Sequence, residues 1–125
     1  MTMPRILIVD DNLMNIELTT FVLEANAFMV ENADSMSAIA RIEFFRPDLI
    51  LMDIQMPGID GLELTRQLKG NPATSHIVIV AFTAFAMKGD EAKFLAAGCN
   101  GYLSKPIDVA TFAAQVQHCM TMTPH

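Results

Sequence analysis

The sequence predicts an α/β fold, a doubly wound parallel sheet of five strands covered by helices on both faces. Two observations carry this expectation. Short β-rich apolar runs alternate with segments of helical periodicity and are joined by short connections, and the runs Leu49-Ile50-Leu51-Met52 and Ile77-Val78-Ile79-Val80 are apolar at every position. A strand with one wet face alternates polar and apolar, so an unbroken apolar run fits a central strand buried on both sides. Crossovers between parallel strands are right-handed and must pack back on the sheet, which places alternating βα units on its two faces.

Taken in order, strands are expected near 5–10, 28–32, 48–53, 77–82 and 101–104. The first carries Ile6-Leu7-Ile8-Val9, and after it Met14, Leu18, Val22 and Ala25 recur at helical spacing as the core face of a first helix. Phe28-Met29-Val30-Glu31-Asn32 is more polar and suits an edge strand. Asp34 or Ser35 before the second helix, Asp60 before the third and Asp108 before the fifth can each accept a hydrogen bond from an orphan backbone N–H. Gly98, after Phe94-Leu95-Ala96-Ala97, reads as the left-handed cap of the fourth helix. The last helix shows Val109, Phe112, Ala113, Val116 and Met120 on one stripe.

Composition bounds the function. A chain of 125 residues with 52% hydrophobic content can bury one substantial core, so a single domain without a separate output domain is expected. A net charge of −6 argues against nucleic acid as a direct ligand, because neutralising a phosphate backbone needs clustered Lys and Arg. Met1 to Arg5 is too short and polar for a signal peptide, and no apolar stretch approaches the roughly 18 residues that span a bilayer, so the expected location is cytoplasmic. Cys99 and Cys119 lack CxxC spacing and a nearby His set, which suits small hydrophobes in a reducing compartment rather than a disulfide or a zinc site.

Four of the apolar runs end on residues suited to phosphoryl chemistry: Asp10-Asp11, Asp53, Thr83 and Lys105. The carboxyl ends of parallel strands share one edge of an open α/β sheet, so three carboxylates, a hydroxyl and an ammonium should converge there. Gathered carboxylates either shift their protonation or hold a cation, and Mg²⁺ is the natural candidate, since it takes one or two carboxylates and leaves room for phosphate oxygens. Asp53 beside such a cation is the candidate nucleophile for an acyl phosphate. Pro57-Gly58 supports a tight turn after it, and Gly61 lets backbone pass close to the site. Lys105 can neutralise a transferred phosphoryl group, and Pro106 admits a cis bond that would aim the lysine inward. Singly, each residue has an ordinary structural use; the combination carries the reading.

The set Asp10-Asp11, Asp53 with Met56-Pro57-Gly58-Ile59-Asp60-Gly61, Thr83-Ala84 and Tyr102-Leu103-Ser104-Lys105-Pro106 resembles a CheY-like receiver domain of two-component response regulators over essentially the whole chain. Residues 83–91 are most similar to stand-alone, DivK-like single-domain regulators. The resemblance implies a flavodoxin-like (βα)5 fold with strand order 2-1-3-4-5. It implies Asp53 as phosphoacceptor, Asp11 as a direct Mg²⁺ ligand, Asp10 as a ligand mainly through water, and Gln55 as a ligand through its backbone carbonyl. Thr83 and Lys105 would bind phosphoryl oxygens, and Tyr102 would be the switch aromatic that turns inward after phosphorylation. The implied donor is a histidine kinase or a histidine phosphotransfer protein, docking near Asn12 to Asn15 with Leu18 and near Pro106-Ile107. A downstream protein would read the face formed by helix 4, strand 5 and helix 5; a homodimer is left open. The only catalysis implied is of the chain's own phosphorylation and dephosphorylation.

Two other readings stand beside this one. A pseudo-receiver would keep the fold and bind partners without phosphorylation, which the full set Asp10, Asp11, Asp53, Thr83 and Lys105 opposes. A small Mg²⁺-dependent aspartyl phosphatase of the haloacid-dehalogenase type fits less well, because the first strand ends in adjacent acids rather than Asp-x-Asp and no cap domain is available. Neither a Gly-x-Gly-x-x-Gly turn nor a P-loop is present for nucleotide binding.

Overall fold

The computed structural model describes residues 3–54, 60–84 and 90–122. Strands and helices alternate without exception along these residues: β1 (Arg5–Val9), α1 (Leu13–Ala25), β2 (Met29–Ala33), α2 (Ala38–Phe45), β3 (Leu49–Asp53), α3 (Gly61–Lys69), β4 (Val78–Thr83), α4 (Asp90–Ala97), β5 (Gly101–Ser104) and α5 (Phe112–Met122). The strands form one sheet in the order β2-β1-β3-β4-β5, and every pairing is parallel. This is the expected order. The register sets Val9 beside Met52 and Asp53 beside Phe82, with Thr83 beside Ser104, so the strands that matter end together.

Strand alternation divides the buried side chains into two cores. Leu7, Val9, Ile50, Met52, Ile79 and Ala81 meet Ile42 of α2, Leu64 and Leu68 of α3 and Phe94 of α4. On the other face Ile6, Ile8, Leu49, Leu51, Val78, Val80 and Phe82 meet Ile16 and Leu23 of α1 and Phe112 and Val116 of α5. The unbroken apolar runs of β3 and β4 are buried at every position because each residue serves one core or the other. Phe82 and Phe112 stack with ring centroids 5.7 Å apart, which seats α5 against β4. Among the described residues no helix is long and apolar enough to cross a membrane.

The start and stop signals act through specific bonds. Asn12 Oδ1 accepts from the Asn15 N–H at 2.9 Å, and Asp60 Oδ1 accepts from the Leu62 N–H at 2.9 Å. Asp34, not Ser35, serves the entry to α2: its Oδ1 accepts from the Ser37 N–H at 2.9 Å, and the helix begins only at Ala38. Asp108 Oδ1 accepts from the Ala110 N–H at 3.0 Å, in a turn that precedes α5. Gly98 ends α4 at φ +108°, and a Cβ there would lie 2.8 Å from Lys69 Cγ, so both backbone and space demand glycine.

Two expectations about helix faces are corrected. α1 turns Ile16, Thr19, Val22 and Leu23 to the sheet, whereas Met14 is 82% exposed, Leu18 is 43% exposed and Ala25 lies on the surface. The helix is apolar on more than one side, with Leu13 and Phe21 also exposed, so spacing alone could not choose its phase. Val109 is likewise exposed, because it lies in the turn before α5 and not on that helix's inner stripe. Cys99 is buried and Cys119 half-buried.

Candidate functional site

The site is built where β1, β3, β4 and β5 end. Asp10 extends β1 by one residue, its N–H donating to the Ala33 carbonyl at 3.1 Å, and this ladder bond keeps its carboxylate below the surface. Asp53 and Thr83 are the last residues of β3 and β4, and both are buried. Lys105 follows β5, and its N–H donates to the Thr83 carbonyl at 2.9 Å, tying the ends of the two strands together. Gly61 opens α3 where a Cβ would run into the Asp53 carbonyl oxygen and Ile54 Cα, so the close backbone passage expected at this glycine is present. The Lys105–Pro106 peptide bond is cis.

The side chains then converge. One carboxylate oxygen from each of Asp10, Asp11 and Asp53 lies within 4.8 Å of the others; Asp10 and Asp53 are buried and Asp11 is exposed. The Lys105 ammonium reaches in to 3.0 Å from Asp10 Oδ2 and 3.5 Å from Asp53 Oδ2. Its side chain is only 16% exposed, and Nζ stands 5.2 Å from the centre of the Phe82 ring, which faces the cation with π density. Asp10 also accepts from the Asn12 N–H at 2.9 Å on Oδ1 and from Asn15 Nδ2 at 2.7 Å on Oδ2. Burial pushes the Asp10 carboxyl up, but the Asn12 N–H, Lys105 and Asn15 together outweigh it and hold the group below the ordinary carboxylate value.

The sequence-derived set Asp10, Asp11, Asp53 and Lys105 is thus brought together, with Thr83 tied to Lys105 through the backbone. Gln55, with Met56 to Ile59, lies outside the described residues. Tyr102 is 39% exposed, with its ring centroid 6.0 Å from that of Phe94 on α4. Sequence reasoning assigned Asn12 to Asn15 to a partner surface and so missed that Asn12 and Asn15 complete the bonding of Asp10. The available signal was positional: Asn12 is the helix cap, and a polar residue three positions later points back over the strand end. Phe82 beneath Lys105 was missed as well. A cavity of about 410 Å³ lined by Ile42, Arg46, Pro47, His76 and Ile77 lies elsewhere and shares no residue with the carboxylates.

Chemically the cluster presents three carboxylates to one ammonium, all hard oxygen donors on the acidic side. Such a set suits Mg²⁺, and among the described residues it lacks the Cys and His ligands that zinc and softer metals favour.

Comparison with known proteins converges on one family. The family model described as the response regulator receiver domain matches residues 6–117. The polar-differentiation response regulator DivK of Brucella anthropi is 42% identical over 117 residues, which cover 92% of this chain and 95% of that protein. A putative response regulator from Chloroflexus aurantiacus superposes with a TM-score of 0.88 at 28% identity, covering 96% of this chain and 99% of that one. The receiver domain of a sensor histidine kinase from Pseudomonas aeruginosa, solved with a magnesium ion coordinated in its active site cleft, gives a TM-score of 0.84 at 32% identity, covering 96% and 99% of the two chains.

Proposed function

The chain belongs to the response regulator receiver domain family, and from that premise we propose that it is a switch operated by phosphorylation of Asp53 and read by a protein partner. The observation that carries the proposal is the Lys105 ammonium held 3.0 Å from Asp10 and 3.5 Å from Asp53 over the ends of the central strands. A partly buried cation between carboxylates has no need to be there for packing, and it is the group that transferred phosphoryl charge would require.

In the proposed step an Asp53 oxygen forms a bond to phosphorus as the phosphorus–nitrogen bond of a donor phosphohistidine breaks. The electron pair of that bond stays on the imidazole nitrogen, and an acyl phosphate remains on Asp53. Positioning and electrostatics carry such transfers. Asp11, Asp53 and the Gln55 carbonyl would hold Mg²⁺ directly, with Asp10 acting mainly through water. The grouping of carboxylate oxygens within 4.8 Å fits a hard divalent cation, as does the magnesium in the Pseudomonas aeruginosa relative. When bound, the metal supplies neutralisation of the carboxylates and of the phosphoryl oxygens. Lys105 would leave Asp10 for a phosphoryl oxygen, and the Thr83 hydroxyl would donate to another.

Acceptance brings about −1.5 to −2 charge units into an already acidic site, by analogy with other protein phosphates. Thr83 drawn toward that charge would vacate space for the Tyr102 ring, now half out against Phe94, and the surface of α4, β5 and α5 would change with it. Reversing a 1:99 population takes about 5.5 kcal/mol of preference for the active state. Exposed Leu13, Met14 and Leu18 beside the site suit a helical phosphodonor, a histidine kinase or phosphotransfer domain.

The test is labelling with acetyl phosphate and Mg²⁺, followed by mass analysis of the peptide that contains Asp53. Wild-type protein is expected to gain one phosphoryl group and Asp53→Asn none. Equal labelling of the two would refute the assignment, and no labelling of the wild type would favour a pseudo-receiver.

A further inference from the structure

We propose that Asn15 is a positioning residue that keeps Asp10 bonded when Lys105 leaves it; this rests on the phosphoacceptor reading of Asp53. Asp10 is a buried carboxylate with three donors: the Asn12 N–H on Oδ1, and Asn15 Nδ2 and Lys105 Nζ together on Oδ2. The Asn15 bond, at 2.7 Å, is the shortest of the three. If Lys105 moves to a phosphoryl oxygen, Oδ2 loses its charged partner while still out of reach of bulk water. A buried carboxylate left unpaired is costly, and that cost would hold the lysine back. Asn15 already occupies the same oxygen, so the departure leaves Oδ2 with a donor.

The local structure makes Asn15 dependable in this role. Its backbone N–H is bound to Asn12 Oδ1 at 2.9 Å, while the Asn12 N–H is bound to Asp10 Oδ1 at 2.9 Å. One cap residue therefore aligns both the carboxylate and its amide donor. Leu13 and Met14 of the same turn point outward, at 68% and 82% exposure, whereas Asn15 is half-buried. The amide is also neutral. It satisfies a lone pair of Asp10 without adding positive charge that would compete with a cation at the carboxylates. A lysine or arginine at this position would give the bond and spoil the charge balance.

Two measurements on the full chain test the proposal. The first compares acetyl phosphate labelling of wild type and Asn15→Leu at saturating Mg²⁺, alongside their melting points. The variant is expected to label about tenfold more slowly, the equivalent of one hydrogen bond to a charged group. Labelling at the wild-type rate by a folded variant would overturn the proposal while leaving Asp53 as acceptor. No labelling of the wild type would instead sink the underlying reading. The second follows the Asn15 side-chain amide by ¹H–¹⁵N NMR in the wild type, which decides the matter if the variant fails to fold. On adding Mg²⁺ and beryllofluoride, a mimic of the phosphoryl group, the Asn15 amide should stay shifted and protected while the Lys105 side-chain signals move. An Asn15 amide that moves to a solvent-like position would overturn the proposal.

Discussion

Lys105 reaches across 95 residues of chain to donate to Asp10 Oδ2 at 3.0 Å, and it does so from a position only 16% exposed. Asp10 is buried and Lys105 partly buried, so water screens the pair only in part. Lys105→Met keeps the bulk of the stem over Phe82 but leaves Asp10 and Asp53 facing one another without the ammonium. Removing one partner of a fully buried pair costs about 3–5 kcal/mol, and for this partly buried one a loss at or below the lower end, about 3 kcal/mol, is expected. Urea unfolding without metal should report a loss of that order, and excess Mg²⁺ should shrink it by supplying another cation. A variant as stable as the wild type in the absence of metal would show that Lys105 does not hold the carboxylates together.

Gly98 and Lys69 form a second linked pair, far from the carboxylates. Gly98→Ala must adopt φ +108° and place a Cβ 2.8 Å from Lys69 Cγ. Lys69 is not free to withdraw, since its Nζ donates to the Ile77 carbonyl at 2.6 Å and to the Ser75 carbonyl at 3.3 Å, clamping the end of α3 to the entry of β4. The expected cost of Gly98→Ala is about 1–3 kcal/mol from the backbone alone, with the clash in addition. Because part of the cost is that clash, Gly98→Ala with Lys69→Ala should lose less than the two singles combined. Strict additivity in chemical denaturation would separate the two sites.

Cys99 offers a pH readout. Burial pushes its thiol above the ordinary value of 9.0, with smaller opposing effects from Thr65, Lys69 and the Ala81 backbone. A folded pKa raised above the unfolded one means that its contribution to stability is complete below pH 9.0 and is lost as pH rises through the folded value. Thiolate is the reactive form, so native Cys99 should resist a disulfide reagent near neutral pH and react at the unfolded rate only in denaturant. Fast labelling of Cys99 in native protein at neutral pH would contradict this burial.

Much of this was legible in the sequence, and the reason is physical. A strand buried on both faces shows as an unbroken apolar run, so the residue that ends it marks the sheet edge; Asp53 and Thr83 were found that way, and the order of the strands followed from the family resemblance. Helix phase was harder. α1 carries apolar residues around much of its circumference, and its rotation is tied to a polar contact, Asn15 on Asp10, that no periodicity encodes. The result places Thr19 in the core with no hydrogen-bond partner for its hydroxyl among the described residues, where Leu18 would have been the simpler occupant. Long-range pairing of a surface-type residue, such as Lys105 over Phe82, likewise exists only once the sheet is assembled.

The switch itself can be followed without a partner. Tyr102 is the sole tyrosine of a chain with no tryptophan, so intrinsic fluorescence excited near the tyrosine maximum reports this one ring. It is now 39% exposed and tilted against Phe94. If phosphorylation draws Thr83 toward the new charge and the ring turns into the space behind it, quenching of that fluorescence by iodide should fall when acetyl phosphate and Mg²⁺ are added. Asp53→Asn should show no such change, which separates the switch from a direct effect of the reagents. Thr83→Ala tests the coupling: removing the hydroxyl takes away the atom drawn to the phosphoryl group, so the link between Asp53 and the ring should weaken. Unchanged quenching in phosphorylated wild type would remove Tyr102 from the switch, however readily Asp53 is labelled.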